Sequence, residues 1–370
     1  MELLYVILGI LISLFFTAWF IPQILAVSYR KKLFDYVDAR KIHTGVVPRL
    51  GGIAFVPSIL VSLCLVVGIA SLFVNDRNVL EISPLQLSFG LCSIILLYYE
   101  GIMDDLVGLR YRIKFVVQII SSVLIVSSGV WMNDFHGLFG LHELSPWIGM
   151  PLSVVVIVFI INAINFIDGI DGLASGLSIV ATFFFGMLFY YEEMWGCAYL
   201  SFVTFGTLLP FFYYNVFGNE QKRRKIFMGD TGSQCIGLIL AVLAIYFSMS
   251  RPEMETKVKG SIIVSFSLLL VPALDVIRVV IHRFRRHANI FLPDKSHIHH
   301  KLLMLGMSHK AAMSSIVLAA MIFVAINLLL LQRININLIL VIDVVVWTVA
   351  HMLLTKAINK KNESNGAEKY

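Results

Sequence analysis

The sequence predicts an all-α fold, a polytopic transmembrane bundle of about 11 spans. Hydrophobic residues make up 58% of the 370 residues, and charged residues make up only 14%. The mean hydropathy is +0.86, and the apolar residues are gathered in long blocks rather than in short alternating runs. A soluble domain of this length needs far more charge to cover its surface. The composition therefore excludes a sizeable soluble core.

The apolar blocks follow one another along the chain, and most approach the roughly 20 residues that a spanning helix needs. The blocks at 115–131 and 150–166 are short and lie at the lower limit for crossing. Residues 1–355 are predicted to form a single membrane domain, and the polar residues 356–370 a disordered tail. The predicted spans are 3–27, 51–73, 85–103, 115–131, 150–166, 174–191, 196–214, 231–250, 260–280, 312–332 and 337–355.

The distribution of Lys and Arg predicts the orientation of this bundle. Of the 29 basic residues, 24 lie in or beside one set of alternating loops and 5 lie in the opposite set. Positive charge is retained on the cytoplasmic side, so the N-terminus is expected outside and the C-terminus in the cytoplasm. The net charge of +6 thus reflects topology and gives no reason to invoke nucleic acid. The four cysteines lack CxxC spacing, so neither a disulfide framework nor a zinc site is indicated.

Polar residues gather in the loops that this orientation places in the cytoplasm. Asp104 and Asp105 are adjacent at the start of one loop, where two carboxylates need a counter-charge. Mg²⁺ or the nearby Arg110, Arg112 and Lys114 could supply it. A solvated pair that caps the next helix is the alternative.

A second cluster occupies 162–176, with Asn162, Asn165, Asp168 and Asp171 spaced three residues apart. In a helix, neighbours at this spacing are close but the whole set does not form one stripe. Glycine follows each aspartate and lets backbone N–H groups approach a ligand. Carboxylate and amide oxygens suit a hard cation such as Mg²⁺. A helix–loop–helix corner capped by Asp and Gly is the alternative.

The remaining candidates lie in three further loops. Asp230 is in the Gly-rich turn 227–233 before a span, which could hold phosphate or a metal–phosphate pair, or could be an ordinary N-cap. His297, His299 and His300 lie in the longest basic loop and favour phosphate or sugar binding over metal. A positive-inside loop with incidental histidines is the alternative. The basic loop 38–52 contains His43 and Arg49 and is equally consistent with anion binding and with a topogenic role.

Taken together, these motifs resemble the polyprenyl-phosphate N-acetylhexosamine-1-phosphate transferases, the glycosyltransferase family 4 type that includes WecA, TagO and MraY. The matches occur in family order over most of the chain. The HxHH motif followed by KLL resembles the WecA/TagO branch, whereas the three consecutive histidines of MraY are absent. Val37 replaces the usual proline of the first motif, although its ligand residues match. The motifs are 35–52, the DD pair at 104–105, NxxNxxDGxDG at 162–172, FMGDxGS at 227–233 and HIHH at 297–300.

The resemblance implies an enzyme of the bacterial cytoplasmic (inner) membrane with its active site on the cytoplasmic face. Undecaprenyl phosphate would attack the β-phosphate of a UDP-amino sugar, expected to be UDP-GlcNAc, and UMP would leave. The product is a lipid-linked diphosphate sugar that initiates a cell-envelope polysaccharide. Two anionic phosphates can meet only if cations offset their repulsion, and the implied cofactor is Mg²⁺, with Mn²⁺ as an alternative. A homodimer is compatible with the resemblance.

The resemblance also implies roles for individual residues. Asp230 and Asn165 would hold the metal. Asp104 would interact with the attacking lipid phosphate, and Asp105 would support Asp104. Asp168 and Asp171 complete the catalytic set beside the nucleotide. The implied substrate-binding residues are Asn162, Asn215, His297, His299, His300, Arg283, Lys114, Arg49 and His43.

Two alternatives stay open at the level of sequence. Within the family, the sugar donor could be UDP-MurNAc-pentapeptide or a modified N-acetylhexosamine, and the missing three-histidine motif argues against the first. Outside the family, a secondary transporter also places carboxylates in the membrane. Transporters, however, place such groups near the midplane and commonly show inverted repeats, and no repeat is visible here.

Overall fold

A computed structural model describes residues 2–34, 47–73, 82–251, 258, 260–285 and 296–364. Over these ranges the chain forms 12 α-helices and two short 3₁₀ turns, and its only extended pairing is one isolated bridge between Asp134 and Glu143. The all-α prediction is confirmed. The helices are α1 Glu2–Lys31, α2 Phe55–Phe73, α3 Pro84–Val107, α4 Tyr111–Ser127, α5 Pro146–Ile167, α6 Leu173–Tyr191, α7 Trp195–Phe217, α8 Gly229–Ser248, α9 Ser261–Arg285, α10 Ile298–Met304, α11 His309–Leu330 and α12 Ile336–Ser364.

Ten of the described helices are long and apolar enough to cross a membrane. The eleventh long helix, α4, has 17 residues and matches the short predicted span at 115–131. The count of eleven spans and the orientation of the termini therefore stay predictions. Helix α10 was not predicted; it is a short helix of 7 residues inside the histidine loop.

Helix α8 lies at the centre of the bundle and is almost entirely buried between α3, α5, α6 and α9. Glycines allow this close packing. A Cβ on Gly237 of α8 would lie 2.7 Å from the Cα of Ile161 in α5. A Cβ on Gly101 of α3 would collide with the backbone of Thr231 at the start of α8. These contacts bring the ends of α3, α5 and α8 together.

The end of the chain differs from its prediction. Helix α12 continues through residues 356–364, which the sequence assigned to a disordered tail, whereas 365–370 lie outside the described residues. Ile358 is buried, and the Lys361 ammonium donates to the Met304 carbonyl oxygen at 3.0 Å. Packing against α10 thus gives this polar stretch tertiary contacts that composition alone does not reveal.

Candidate active site

The predicted polar residues converge where four helices end or begin. Asp104 and Asp105 lie in the last turn of α3, Lys114 in the first turn of α4, and Asn165 in the last turn of α5. Asp230 is in the first turn of α8. Residues separated by more than 100 positions therefore form one polar cluster at one end of the bundle.

Lys114 is the electrostatic centre of this cluster. Its ammonium lies 3.0 Å from an Asp104 carboxylate oxygen and also forms an ion pair with Asp230. Asn165 donates from its amide to Asp230 at 2.6 Å and to the Ser233 hydroxyl at 2.8 Å. All three charged side chains are partly buried, where ion pairs are stronger than on an open surface. One cation between two carboxylates leaves this cluster with excess negative charge.

Asp105 has different partners from its neighbour Asp104. Its carboxylate accepts hydrogen bonds from the backbone N–H groups of Asp230 at 2.8 Å and Thr231 at 3.0 Å. It also accepts from the Thr231 hydroxyl at 2.6 Å. The first N–H groups of a helix have no acceptor within that helix. Asp105, which lies on α3, provides the acceptor for two of these groups in α8. It fixes the start of α8 and thereby the place of Asp230.

The turn between α5 and α6 carries the next two carboxylates. Asp171 forms an ion pair with the Lys225 ammonium at 2.7 Å. Asp168 is partly exposed, and burial against the surrounding protein raises its pKa to about 7. The positive charge of Arg49 opposes this rise, and the charges of Asp230, Asp171 and Asp105 add to it. Asp168 is therefore a carboxyl group close to half-ionised at neutral pH.

Two asparagines predicted to bind nucleotide have their side chains engaged elsewhere. The Asn215 side chain accepts from the Gly172 N–H at 2.6 Å and donates to the Ile226 carbonyl at 2.9 Å. It is buried and ties two loops together. Asn162 donates to Gln118 at 2.7 Å, and Gln118 donates in turn to Gln234 at 2.9 Å. This chain of amides lies one turn of α5 away from Asn165, inside the bundle.

The histidine motif lies against the turn that carries Asp168. His297 is hydrogen-bonded through Nδ1 to Asp275 at 2.8 Å, and its ring stacks on His299 with centroids 5.8 Å apart. The His300 ring is 4.2 Å from that of His299. A Cβ on Gly169 would collide with the His299 ring, so only glycine allows this approach. The motif and the turn therefore belong to one site.

His299 is the most buried of the three rings, with 1% of its surface exposed. Neither ring nitrogen has a hydrogen-bond partner among the described residues. Burial, together with the neighbouring His300 and His297, lowers its pKa to about 3. His299 is therefore a neutral imidazole at physiological pH.

The comparisons with known proteins agree with this geometry. The model of glycosyl transferase family 4 matches residues 87–248, which include Asp104, Asp105, Asn165 and Asp230. A Bacillus subtilis (strain 168) protein named probable undecaprenyl-phosphate N-acetylglucosaminyl 1-phosphate transferase is 30% identical over 326 residues, covering 87% of this chain and 84% of the relative. The undecaprenyl-phosphate alpha-N-acetylglucosaminyl 1-phosphate transferase of Salmonella typhi is 30% identical over 321 residues, 86% of this chain and 82% of the relative. Its Escherichia coli (strain K12) namesake is 28% identical over 323 residues, with the same coverage.

The chain belongs to glycosyl transferase family 4. It is similar over most of its length to undecaprenyl-phosphate N-acetylglucosaminyl 1-phosphate transferases, and it is a multi-pass membrane protein. The family resemblance drawn from five motifs is confirmed. The identity of the sugar, the identity of the metal and the role of each residue are proposals.

The Mg²⁺ that the family resemblance implies would need oxygen ligands from the residues of this site. Within the described ranges, no three His, Cys, Asp or Glu side chains surround a single metal position. Mg²⁺ commonly takes one or two carboxylates and completes its shell with water and substrate phosphates. Asp230, Asn165 and Asp168 offer such oxygen donors, and the carboxylates outnumber the cations. The donor set fits Mg²⁺ bound together with a diphosphate.

Arg283 is buried in the last turn of α9. His43 lies outside the described residues, so its predicted role remains a prediction.

Sequence reasoning missed several partners of the site. Lys225 pairs with Asp171, and Thr231 and Ser233 support Asp105 and Asn165. Asp275 pairs with Arg278 at 3.4 Å and is hydrogen-bonded to His297 at 2.8 Å. A signal was present for Asp275, because a carboxylate inside a span needs a partner. No local pattern marks Lys225, whose contact depends on the tertiary fold.

Proposed function

We propose that this protein transfers N-acetylglucosamine-1-phosphate from UDP-GlcNAc to undecaprenyl phosphate. UMP is released, and the product is a lipid-linked diphosphate sugar that initiates a cell-envelope polysaccharide. The reaction class is supported by the relatives' names, and the choice of sugar follows the same names. The site lies at the cytoplasmic face of the bacterial inner membrane in this proposal, because 24 of the 29 basic residues fall in or beside the loops at that end.

The observation that carries the proposal is the cluster of Asp104, Lys114, Asp230 and Asn165 at the meeting point of four helix ends. The reaction joins a lipid phosphate in the membrane to a diphosphate that arrives from water. A site for it must therefore lie at the membrane surface and contain cations. The cluster lies at helix ends with Lys114 in its centre, and the cations Arg49 and Lys225 act on the neighbouring Asp168 and Asp171.

The two sides of the cluster suit different substrates. Asp104 and Lys114 lie at the junction of α3 and α4, and we assign them to the acceptor phosphate. Lys114 would balance its charge, and Asp104 would orient it. Asp105 holds the start of α8 and acts as a positioning residue, because its carboxylate accepts hydrogen bonds from Asp230 and Thr231. The acceptor phosphate is mostly ionised at neutral pH, so proton removal contributes little.

Asp230 and Asn165 would hold Mg²⁺, with Mn²⁺ as an alternative. The ion supplies electrostatic stabilisation of the diphosphate and of the departing UMP. Asp168 adds a third oxygen donor beside Arg49. Lys114 pairs with both Asp104 and Asp230, so its ammonium would be available to a substrate phosphate if Asp230 held the ion.

The histidine motif would contact the diphosphate or the sugar. His297 is oriented by Asp275, and the neutral His299 ring forms the wall against Gly169. His300 is half-buried and lies at the edge of this stack. Neutral imidazole N–H groups can donate to phosphate oxygens without adding charge.

The test is UMP release by the purified protein with UDP-GlcNAc, undecaprenyl phosphate and Mg²⁺, each omitted in turn. Release that requires all three supports the proposal. Asp230→Asn should abolish release, while Glu193→Gln, a carboxylate change on an exposed residue between α6 and α7, should not. Release only with another UDP-amino sugar would correct the donor. Absence of release with every donor from folded protein would favour the transporter alternative.

A further inference from the structure

A cavity of about 1000 Å³ lies between the second half of α9 and the second half of α12. The carboxylates of the proposed active site that surround Lys114, Asp104 and Asp230, lie on other helices, α3 and α8. The cavity has two contrasting walls. Ile277 and Ile281 of α9 and Val344 and Met352 of α12 line it with apolar side chains that are 39% to 66% exposed. In membrane-spanning helices such side chains face lipid.

The other wall is strongly basic. Its described lining includes five Lys and Arg side chains against one carboxylate, that of Glu363. These cations come from three helices: Arg278 and Arg285 of α9, Lys301 of α10, and Lys356 and Lys360 of α12. Asp275 offsets the charge of Arg278 at 3.4 Å, and an anion in the cavity would lower the repulsion among the whole set.

Two side chains that line the cavity, His351 and Trp347, have ring nitrogens without a hydrogen-bond partner among the described residues. His351 is 4% exposed, and neither of its ring nitrogens has a hydrogen-bond partner among the described residues. The Trp347 indole N–H is likewise unpartnered there. Buried polar groups normally have partners, so these donors indicate a ligand that brings acceptors. Burial and the nearby Arg278 lower the pKa of Lys301 to about 8, which also favours an anionic ligand.

We propose that this cavity binds the phosphate headgroup of an anionic phospholipid of the bilayer, with the acyl chains along the apolar wall of α9 and α12. A free anion would use the basic wall but not the lipid-facing apolar wall. The lipid acceptor of the proposed reaction must instead reach Asp104 and Asp230, on α3 and α8. Helix α12 packs chiefly on α9, α10 and α11. The cavity therefore takes a second lipid, not the substrate.

The cavity is also linked to the active-site histidines through one buried carboxylate. Arg278 lines the cavity and pairs with Asp275 at 3.4 Å, and Asp275 in turn holds His297 at 2.8 Å. Two residues, Arg278 and Asp275, would thus separate the bound headgroup from the histidine stack.

The experiment measures quenching of Trp347 fluorescence by brominated lipid. The full-length protein is placed in phosphatidylcholine vesicles that contain increasing fractions of brominated phosphatidylglycerol, and a parallel series contains brominated phosphatidylcholine. The chain has five tryptophans, so the Trp347 signal is taken as the difference between wild type and Trp347→Phe. Stronger quenching by phosphatidylglycerol is expected, and equal quenching by the two lipids would overturn the proposal.

Charge-reversal variants locate the binding. Lys356→Glu combined with Lys360→Glu should weaken the phosphatidylglycerol effect by roughly tenfold or more, since each basic residue near anionic lipid contributes about fivefold. The matched control is Arg30→Glu with Lys31→Glu, an equal charge change on exposed residues at the end of α1. An equal loss in both double variants would show a general surface effect and reject the site. Lys301→Gln provides a second test without charge reversal.

Competition distinguishes the anion sources. Neither inorganic phosphate nor undecaprenyl phosphate should restore Trp347 fluorescence at concentrations equal to those of the brominated lipid. Displacement by inorganic phosphate would show a free-anion site. Displacement by undecaprenyl phosphate would show a path for the acceptor. Either result would contradict a separate phospholipid site, whatever the outcome of the UMP assay.

Discussion

Asp105 and Thr231 are joined by two hydrogen bonds, one from the Thr231 N–H at 3.0 Å and one from its hydroxyl at 2.6 Å. This contact crosses from the end of α3 to the beginning of α8. It explains why two adjacent aspartates have different surroundings: Asp104 faces the Lys114 ammonium, and Asp105 faces backbone. The pair therefore divides into one residue placed for substrate and one that positions Asp230.

Thr231→Val is expected to lower both thermal stability and turnover. The substitution preserves side-chain shape but removes the hydroxyl that Asp105 accepts, and a hydrogen bond to a charged group is worth about 1.5–3 kcal/mol. Thermal unfolding in detergent and UMP release measure the two effects. Thr231→Ser keeps the hydroxyl and should retain more activity than Thr231→Val. The reverse order would contradict a role for this hydrogen bond.

Lys114→Met is expected to separate metal binding from catalysis. Removing the ammonium leaves Asp104 and Asp230 without their shared cation, so binding of Mn²⁺, measured by electron paramagnetic resonance, should tighten. Turnover should fall by about 100-fold or more, because a cation that balances phosphate charge is lost. Lys222→Met, an exposed lysine between α7 and α8, is the control and should change neither. Parallel loss of both metal binding and activity would indicate a structural role instead.

Gly169→Ala is expected to displace the histidine motif and reduce activity at least tenfold, because the added Cβ collides with the His299 ring. Gly90→Ala in α3 is the matched control, since a Cβ there has no neighbour within 4 Å. It should be neutral or slightly stabilising. Adding His299→Ala to Gly169→Ala should cost less than the two single effects together. Full additivity would show that the collision is not the cause.

The stability of the protein is expected to fall as the pH drops below about 6.5. His299 has a folded-state pKa near 3 and an unfolded value near 6.5, so between these values the unfolded state binds more protons. Its contribution is complete above the unfolded pKa and declines as the pH falls toward the folded pKa. Between about pH 7.5 and pH 5 the loss is about 2 kcal/mol. Thermal midpoints of wild type and His299→Gln across this range should show a smaller pH dependence in the variant.

Sequence patterns predicted the helical architecture because each span is a local property. Eleven apolar blocks correspond to the eleven long helices of the described residues, and three of the five motif loops indicated Asp104, Asn165, Asp168 and Asp230. Convergence of these loops at one end follows from the alternation of spans. Short motifs of polar residues therefore indicated which residues lie together at that end of the bundle.

Direction of individual side chains could not be predicted in the same way. Asn162 and Asn165 differ by three residues, yet one joins an amide chain inside the bundle and the other contacts Asp230. The predicted disorder is wrong for residues 356–364, where α12 continues and Lys361 contacts Met304 of α10. Each of these contacts is made with a residue that is distant in sequence. The spacing of residues within one segment therefore cannot predict it.

Asn215 provides the clearest test of this distinction. Its side chain satisfies the Gly172 N–H and the Ile226 carbonyl, both within the protein, and it is 4% exposed. Asn215→Leu should leave two buried backbone groups unpaired at about 1–3 kcal/mol each, and thus lower the thermal midpoint and turnover. KM for the UDP-sugar should stay within about twofold of wild type in the fraction that remains folded, since uniform substrate binding is unaffected. A tenfold rise in KM with unchanged thermal stability would instead place Asn215 in contact with the nucleotide, as its motif position first indicated.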